Sequence, residues 1–449
     1  MRRFIRAAFG AALAVGLVAA TATPGAAAAV PGPRKEQWWF TAWAVQNKVW
    51  PITQGRGVTV AVIDSGVEAD IPDMAGVVLP GTNAESGGGD GRTDVDTAVP
   101  AGHGTAMAAL IASQGRGTGF VGVAPRAKIL PIVSRDLESK AAAVRYATSH
   151  GAKVINISQG APTSCPPDLQ QAVADAVRHD VVVVAAAGNE GDTTNPSATP
   201  ANCAGVLAVG GVDPRLGAFA KTQRQPYVAV AAPAAGVGSV LRDGQFHTSE
   251  GGTSSAAALT SGAVALVRSK FPDLSAREVV QRIIASTRDA GPKGRDDLTG
   301  YGAVRPYQAL TIDVPRNTPN PVFAAYDKWA AAHGQHSGSG TSAAQQRKNV
   351  DQSSNDTGGF LLLVGLSVGT LLLVALVAVF LRARRRRAAT AGPPMGGYPG
   401  QQPPYYGQGP GPQGPGPQGP QGPPAPYGRP QGPPPGFGGG PPQGSPPPR

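Results

Sequence analysis

The sequence predicts an α/β fold, a mainly parallel sheet with helices on both faces, plus one C-terminal transmembrane helix. Three observations carry this prediction. Near-continuous apolar runs recur between residues 57 and 310, as expected of parallel strands covered on both faces. Segments with helical patterning alternate with them, the order that builds such a sheet. A separate uncharged run, Phe360 to Leu381, is long enough at 1.5 Å per residue to cross a bilayer core of about 30 Å.

The 449 residues exceed one compact domain. Residues 1–29 read as a signal peptide: "MRRFIR" is basic, "AAFGAALAVGLVAATA" is apolar, and "PGAAAA" offers small residues for cleavage. Residues 30–50 hold Trp38, Trp39, Trp43 and Trp50 and form an extension expected to pack on the main domain. That domain occupies residues 51–310. Its predicted strands are "VTVAVID" (58–64), "KILPIV" (128–133), "KVINIS" (153–158), "VVVVAAA" (181–187), "GVLAVG" (205–210) and "YVAVAA" (227–232). Its predicted helices are "GTAMAALIAS", "LESKAAAVRYATSH", "DLQQAVADAVRHD", the run from Ser254 to Lys270, and "SAREVVQRIIAST". Pro272 to Ser275 supply a stop and then a cap for the last of these.

Residues 311–358 turn polar and read as a linker, residues 359–381 as the membrane helix, and residues 382–449 as a cytoplasmic tail. Five arginines, Arg382 and Arg384 to Arg387, follow the apolar run and contribute to a net charge of +11. Placed there, they mark a cytoplasmic membrane flank rather than a nucleic-acid face. The main domain is therefore expected outside the cell membrane on a single-pass anchor. Of the 45 prolines many crowd after residue 392, without the strict Gly period of collagen, so the tail reads as disordered and PPII-rich. Two cysteines exclude a disulfide-rich scaffold but allow one bridge.

Three short motifs carry the chemistry. "VAVIDSGV" puts Asp64 at the carboxyl end of a strand, "GHGTAMA" puts His103 at the start of a helix, and "GGTSSAAA" puts Ser254 at the start of another. Strand ends and the N-termini of the helices after them share one edge of an open α/β sheet, where sites collect. A serine hydroxyl needs a base to become a nucleophile, imidazole serves near neutral pH, and a buried carboxylate fixes the imidazole tautomer. Taken singly, Asp64 is as readily a turn former and Ser254 a residue of a packed helix. The order Asp, His, Ser with all three contexts is the stronger signal.

With "GFVGVAPRAKILPI", "KVINISQG", "VVVVAAAGNEG" and "LTGYGAVRPYQAL", these motifs resemble the subtilisin-like serine proteases, the subtilase family, over roughly residues 50–310. The resemblance implies a subtilisin-like fold. It makes Asp64 the triad acid, His103 the general base, Ser254 the nucleophile and Asn189 an oxyanion donor beside the Ser254 backbone N–H. Ser158, Gln159 and Gly160 would offer backbone groups to an extended peptide, with Gly160 leaving room for the P1 side chain. No cofactor or metal is implied, and "DGRTDVD" (90–96) reads as a solvated loop rather than a calcium site. A Cys165–Cys203 bridge would join two segments bordering the site; two free thiols are the alternative.

Some features depart from the family. Ala258 stands where proline is common four residues after the nucleophile, "RDLESK" leaves a short wall of the substrate cleft, and residues 30–50 are too few for a large pro-domain. The layout of leader, Trp-rich extension, peptidase domain, linker and anchor resembles the mycosins, membrane-anchored subtilases associated with type VII secretion. The expected function is a membrane-anchored serine endopeptidase acting on peptide or protein substrates, with a type VII secretion membrane complex as its expected partner. One alternative is a subtilase-fold scaffold for that complex, with proteolysis secondary. An α/β-hydrolase is disfavoured, because residues 252–256 lack G-x-S-x-G and the triad order differs.

Overall fold

The computed structural model describes residues 30–315 and 317–334. The expected signal peptide, the membrane helix, the tail and the linker beyond residue 334 lie outside the described residues. Among those described, no helix is long and apolar enough to cross a membrane.

Seven strands form one sheet: β1 (Thr59–Asp64), β2 (Thr82–Asn83), β3 (Lys128–Val133), β4 (Val154–Ile157), β5 (Val182–Ala186), β6 (Val206–Val212) and β7 (Val228–Pro233). Their spatial order is β2-β3-β1-β4-β5-β6-β7, with every neighbouring pair parallel. All the longer runs predicted as strands are present. The very short β2 and a small antiparallel hairpin, β8 (Ser239–Val240) with β9 (Phe246–His247), lack an apolar run that would mark them in the sequence.

Side chains alternate across the sheet because the strand period is two. Val60 and Val62 of β1 enter one core, while Ala61 and Ile63 enter the other. On the first face lie α2 (His103–Ala112), α5 (Thr253–Lys270) and α6 (Ala276–Ala285); on the second lie α3 (Lys140–Ser149) and α4 (Pro167–Arg178). α5 is buried on nearly every side, which explains its run of small residues. At Gly262 an added Cβ would come within 3.2 Å of Val123. α6 begins with a capping box in which Ser275 and Glu278 satisfy each other's backbone N–H groups.

The N-terminal extension folds onto the first core. Its helix α1 (Trp38–Ala42) and a π turn over Val45–Val49 bury Trp39, Phe40, Trp43 and Trp50. Trp50 Nε1 donates to the Val123 carbonyl at 3.0 Å.

The segment from residue 311, expected as linker, begins differently. After α7 (Pro306–Thr311), helix α8 (Pro321–Ala332) buries Val322, Phe323, Tyr326 and Ala330. Asn320 caps it by accepting from Phe323 N–H at 3.3 Å, and Arg277 of α6 pairs with Asp327 at 2.7 Å. The surrounding Gly, Ser and Gln residues obscured a short apolar stripe with helical spacing.

The strand order also locates the site. From β1 the chain first builds to one side, at β3, and then crosses to the other, at β4. The carboxyl end of β1 is therefore the point where the winding direction reverses, the usual place for a ligand crevice.

Candidate active site

Asp64 closes β1 at this switch point and is wholly buried. His103 opens α2 after Gly102, whose φ of 115° lies in the left-handed region. The helix start then runs close against the end of β1. An added Cβ on Gly104 would sit 2.1 Å from the Gly66 carbonyl oxygen, so only glycine permits that approach. This brings His103 Nδ1 to 2.8 Å from Asp64 Oδ1 and 3.0 Å from Oδ2.

The loop read as solvated from its sequence is instead part of the support. Asp94 is 2% exposed. Its carboxylate accepts from Ser65 Oγ at 2.8 Å, Thr105 N at 2.8 Å and Thr105 Oγ1 at 2.6 Å. Ser65 Oγ in turn accepts from Gly104 N–H at 2.9 Å, tying β1 to α2. Asp96 Oδ2 accepts from the backbone N–H groups of Gly102 and His103 at 3.0 and 3.1 Å, a negative charge at a helix N-terminus. The acidic spacing was visible in the sequence, but which of these carboxylates is buried depends on how the loop folds back.

These charges set the chemistry of the imidazole. Burial alone would lower the His103 pKa. The charge and hydrogen bond of Asp64, with the charges of Asp96 and Asp94, outweigh it and hold the group above the usual histidine value. Burial raises the Asp94 carboxyl above its ordinary range despite four hydrogen bonds. Behind Asp64, Lys140 is 3% exposed and burial depresses its ammonium to about 8, against the pull of Asp64.

Ser254 is the second residue of α5. His103 and Ser254 line one open cleft of about 840 Å³, together with Gln159, Gly160 and Asn189. Among the described residues no hydrogen bond joins Ser254 to His103. The Ser254 hydroxyl donates to the Ser158 carbonyl at 2.8 Å, and Ser158 Oγ donates back to the Ser254 carbonyl at 3.0 Å. Asn189 lies beyond the end of β5. Its Oδ1 accepts from Thr253 N–H at 2.9 Å and Thr253 Oγ1 at 3.1 Å, which leaves the Nδ2 end as the donor. A smaller recess of about 190 Å³ lies beside it, lined by Ser158, Gly160, Ala186, Gly188, Asn189 and Ser254 among others.

The sequence-derived candidates therefore meet on the carboxyl edges of β1, β4 and β5 and the N-termini of α2 and α5. Gln159 differs in kind from expectation: beyond its backbone, its side-chain Nε2 donates to Asp64 Oδ1 at 3.0 Å. Cys165 and Cys203 are bonded, with Cα atoms 5.2 Å apart, fastening the segment after β4 to the one before β6. Among the described residues no group of three or more His, Cys, Asp or Glu could hold a metal ion. Sequence reading missed Ser65, Asp94, Asp96, Thr253 and Lys140.

The subtilase family profile matches residues 55–302. Mycosin-1 of Mycobacterium tuberculosis is 36% identical over 339 residues, an alignment covering 61% of this chain and 72% of the relative. Fervidolysin of Fervidobacterium pennivorans is 32% identical, with 62% and 44% covered. The solved structure of the MycP3 protease from the type VII (ESX-3) secretion system superposes with a TM-score of 0.54 at 33% identity, covering 65% of this chain and 90% of that one. A chain of the periplasmic assembly from the ESX-5 inner membrane complex gives 0.55 at 29% identity, covering 63% and 86%.

Proposed function

Since this chain belongs to the subtilase family of serine proteases, we propose that it hydrolyses peptide bonds through Asp64, His103 and Ser254. The observation that carries the assignment is His103, bonded through Nδ1 to a buried carboxylate and facing the same cleft as Ser254. With Nδ1–H held by Asp64, Nε2 is the basic nitrogen. The Ser254 hydroxyl turns from the Ser158 carbonyl toward His103, which takes its proton as Oγ attacks the scissile carbonyl. Asp64 stabilises the imidazolium that forms. Asn189 Nδ2 and the Ser254 backbone N–H receive the oxyanion, with the α5 dipole behind them. Collapse gives an acyl-enzyme and the leaving amine, protonated by His103. Water, activated by the same base, then releases the acid and restores Ser254. Ser158 to Gly160 border the cleft where an extended peptide would add as a strand.

A fluorophosphonate probe tests the nucleophile. The wild-type chain is expected to label and Ser254→Ala to remain unlabelled; equal labelling of both would remove Ser254 from the role.

The charge-flanked apolar run of residues 360–381 supports placement of the peptidase domain outside the cell membrane, anchored by that segment, and likeness to the MycP3 protease from a type VII secretion system supports work with such a complex. Likeness to a chain of the ESX-5 periplasmic assembly favours a second reading, a scaffold role in such a complex with proteolysis secondary. Comparing Ser254→Ala with full deletion in cells separates the two. If secretion survives the substitution but not the deletion, the structural role dominates.

A further inference from the structure

The end of β4 reaches the acid as well as the cleft. The Gln159 side chain donates from Nε2 to Asp64 Oδ1 at 3.0 Å, across a separation of 95 residues. The same oxygen accepts from Ser65 N–H at 2.8 Å and His103 Nδ1 at 2.8 Å, with Ser65 Oγ farther off at 3.3 Å, whereas among the described residues Oδ2 meets only His103, at 3.0 Å. Three close donors on one carboxylate oxygen, at 2.8 to 3.0 Å, fix the rotation of the carboxyl plane and hence the direction in which the imidazole is held. Gln159 Oε1, at the other end of the amide, is buried with no hydrogen-bond partner among the described residues. The opposite amide orientation would set oxygen against carboxylate.

We propose that Gln159 is a positioning residue for the general base, holding the Asp64 carboxylate from the strand end that borders the substrate cleft. The proposal rests on the triad reading and adds a group that acts through Asp64. Its amide does two things. It fixes the carboxylate in plane with the imidazole, and it draws part of the Oδ1 charge away from His103. It also links the β4 end to the triad twice, through Gln159 to Asp64 and through Ser158 to Ser254.

Basicity is the readout, because a space-filling role would not move it. The charged groups facing this pair are Asp94 and Asp96 from the loop before α2, Lys140 from α3, and Arg135 at the cleft wall. All of them are retained when Gln159 alone is replaced. The rate of fluorophosphonate labelling of the full-length chain is measured from pH 5 to 9. Gln159→Met keeps length without a donor. It should lower the plateau rate on the order of 10-fold through lost alignment. It should also move the acid limb to higher pH, since Asp64 then gives His103 its undivided charge. Wild-type rate and limb in Gln159→Met, or a slower rate with an unmoved limb, would overturn the proposal. Should Gln159→Met fail to fold, Gln159→Lys keeps a donor and adds positive charge beside Asp64. Its limb should move to lower pH, and an unmoved limb overturns the proposal. Absence of labelling in the wild type itself would sink the Ser254 reading rather than the role of Gln159 alone.

Discussion

Ser261 Oγ donates to Asn156 Oδ1 at 3.0 Å, deep between α5 and β4. Asn156 Nδ2 donates on to Ser158 Oγ at 3.0 Å, and Ser158 Oγ donates to the Ser254 carbonyl. A polar chain thus runs from the middle of α5 through β4 to the residue at its tip. Ser261 and Asn156 are both fully buried, so removing one hydroxyl leaves a buried amide oxygen without its donor. Ser261→Ala should cost about 1–3 kcal/mol of stability, read by urea unfolding, while fluorophosphonate labelling of Ser254 persists in the folded fraction.

Asp96 places a carboxylate at the entrance of α2, and its charge is one reason that His103 titrates above the usual histidine value. Asp96→Asn keeps an acceptor oxygen for the Gly102 and His103 N–H groups but removes the charge. The acid limb of labelling should then move to lower pH. Stability obeys the same linkage. A histidine whose folded pKa is raised contributes stabilisation that is full below its unfolded pKa, about 6.5, and is lost as pH rises through the folded value. Asp96→Asn should therefore lose stability relative to wild type at pH 5 and less at pH 9, measured by urea midpoints at the two pH values.

Asn189 is held by Thr253, so its amide nitrogen is already oriented before substrate arrives. Phosphonylation builds negative charge on the same oxygen position as acylation. Asn189→Ala should slow labelling by about 10²–10³-fold, the usual loss for one oxyanion donor. A rate within twofold of wild type would assign the oxyanion to other donors.

Tyr326 of α8 is 2% exposed and packs over Gly205, where an added Cβ would lie 3.2 Å from its ring. Tyr326→Ala should cost about 3 kcal/mol. Urea unfolding checks this, and an unchanged midpoint would return the segment to a linker.

The strands, and the positions of Asp64, His103 and Ser254 at strand and helix ends, were legible because their signals are local. Six apolar runs reveal buried strands by composition, and a glycine-flanked His103 or a Gly-Thr-Ser before alanines marks a helix entrance. Family resemblance supplied the role proposed for Asn189. Other parts of the site required the folded chain. Asp90, Asp94 and Asp96 look alike in one polar loop, yet only Asp94 is driven into the interior, because Ser65 and Thr105 wait there with donors. Gln159 looks like any residue at a strand end until β4 lies beside β1 and its amide meets Asp64. The physical reason is range. Secondary structure and helix entrances are written in periods of a few residues, whereas the placement of a carboxylate, its donors and its neighbouring charges depends on contacts between segments dozens of residues apart.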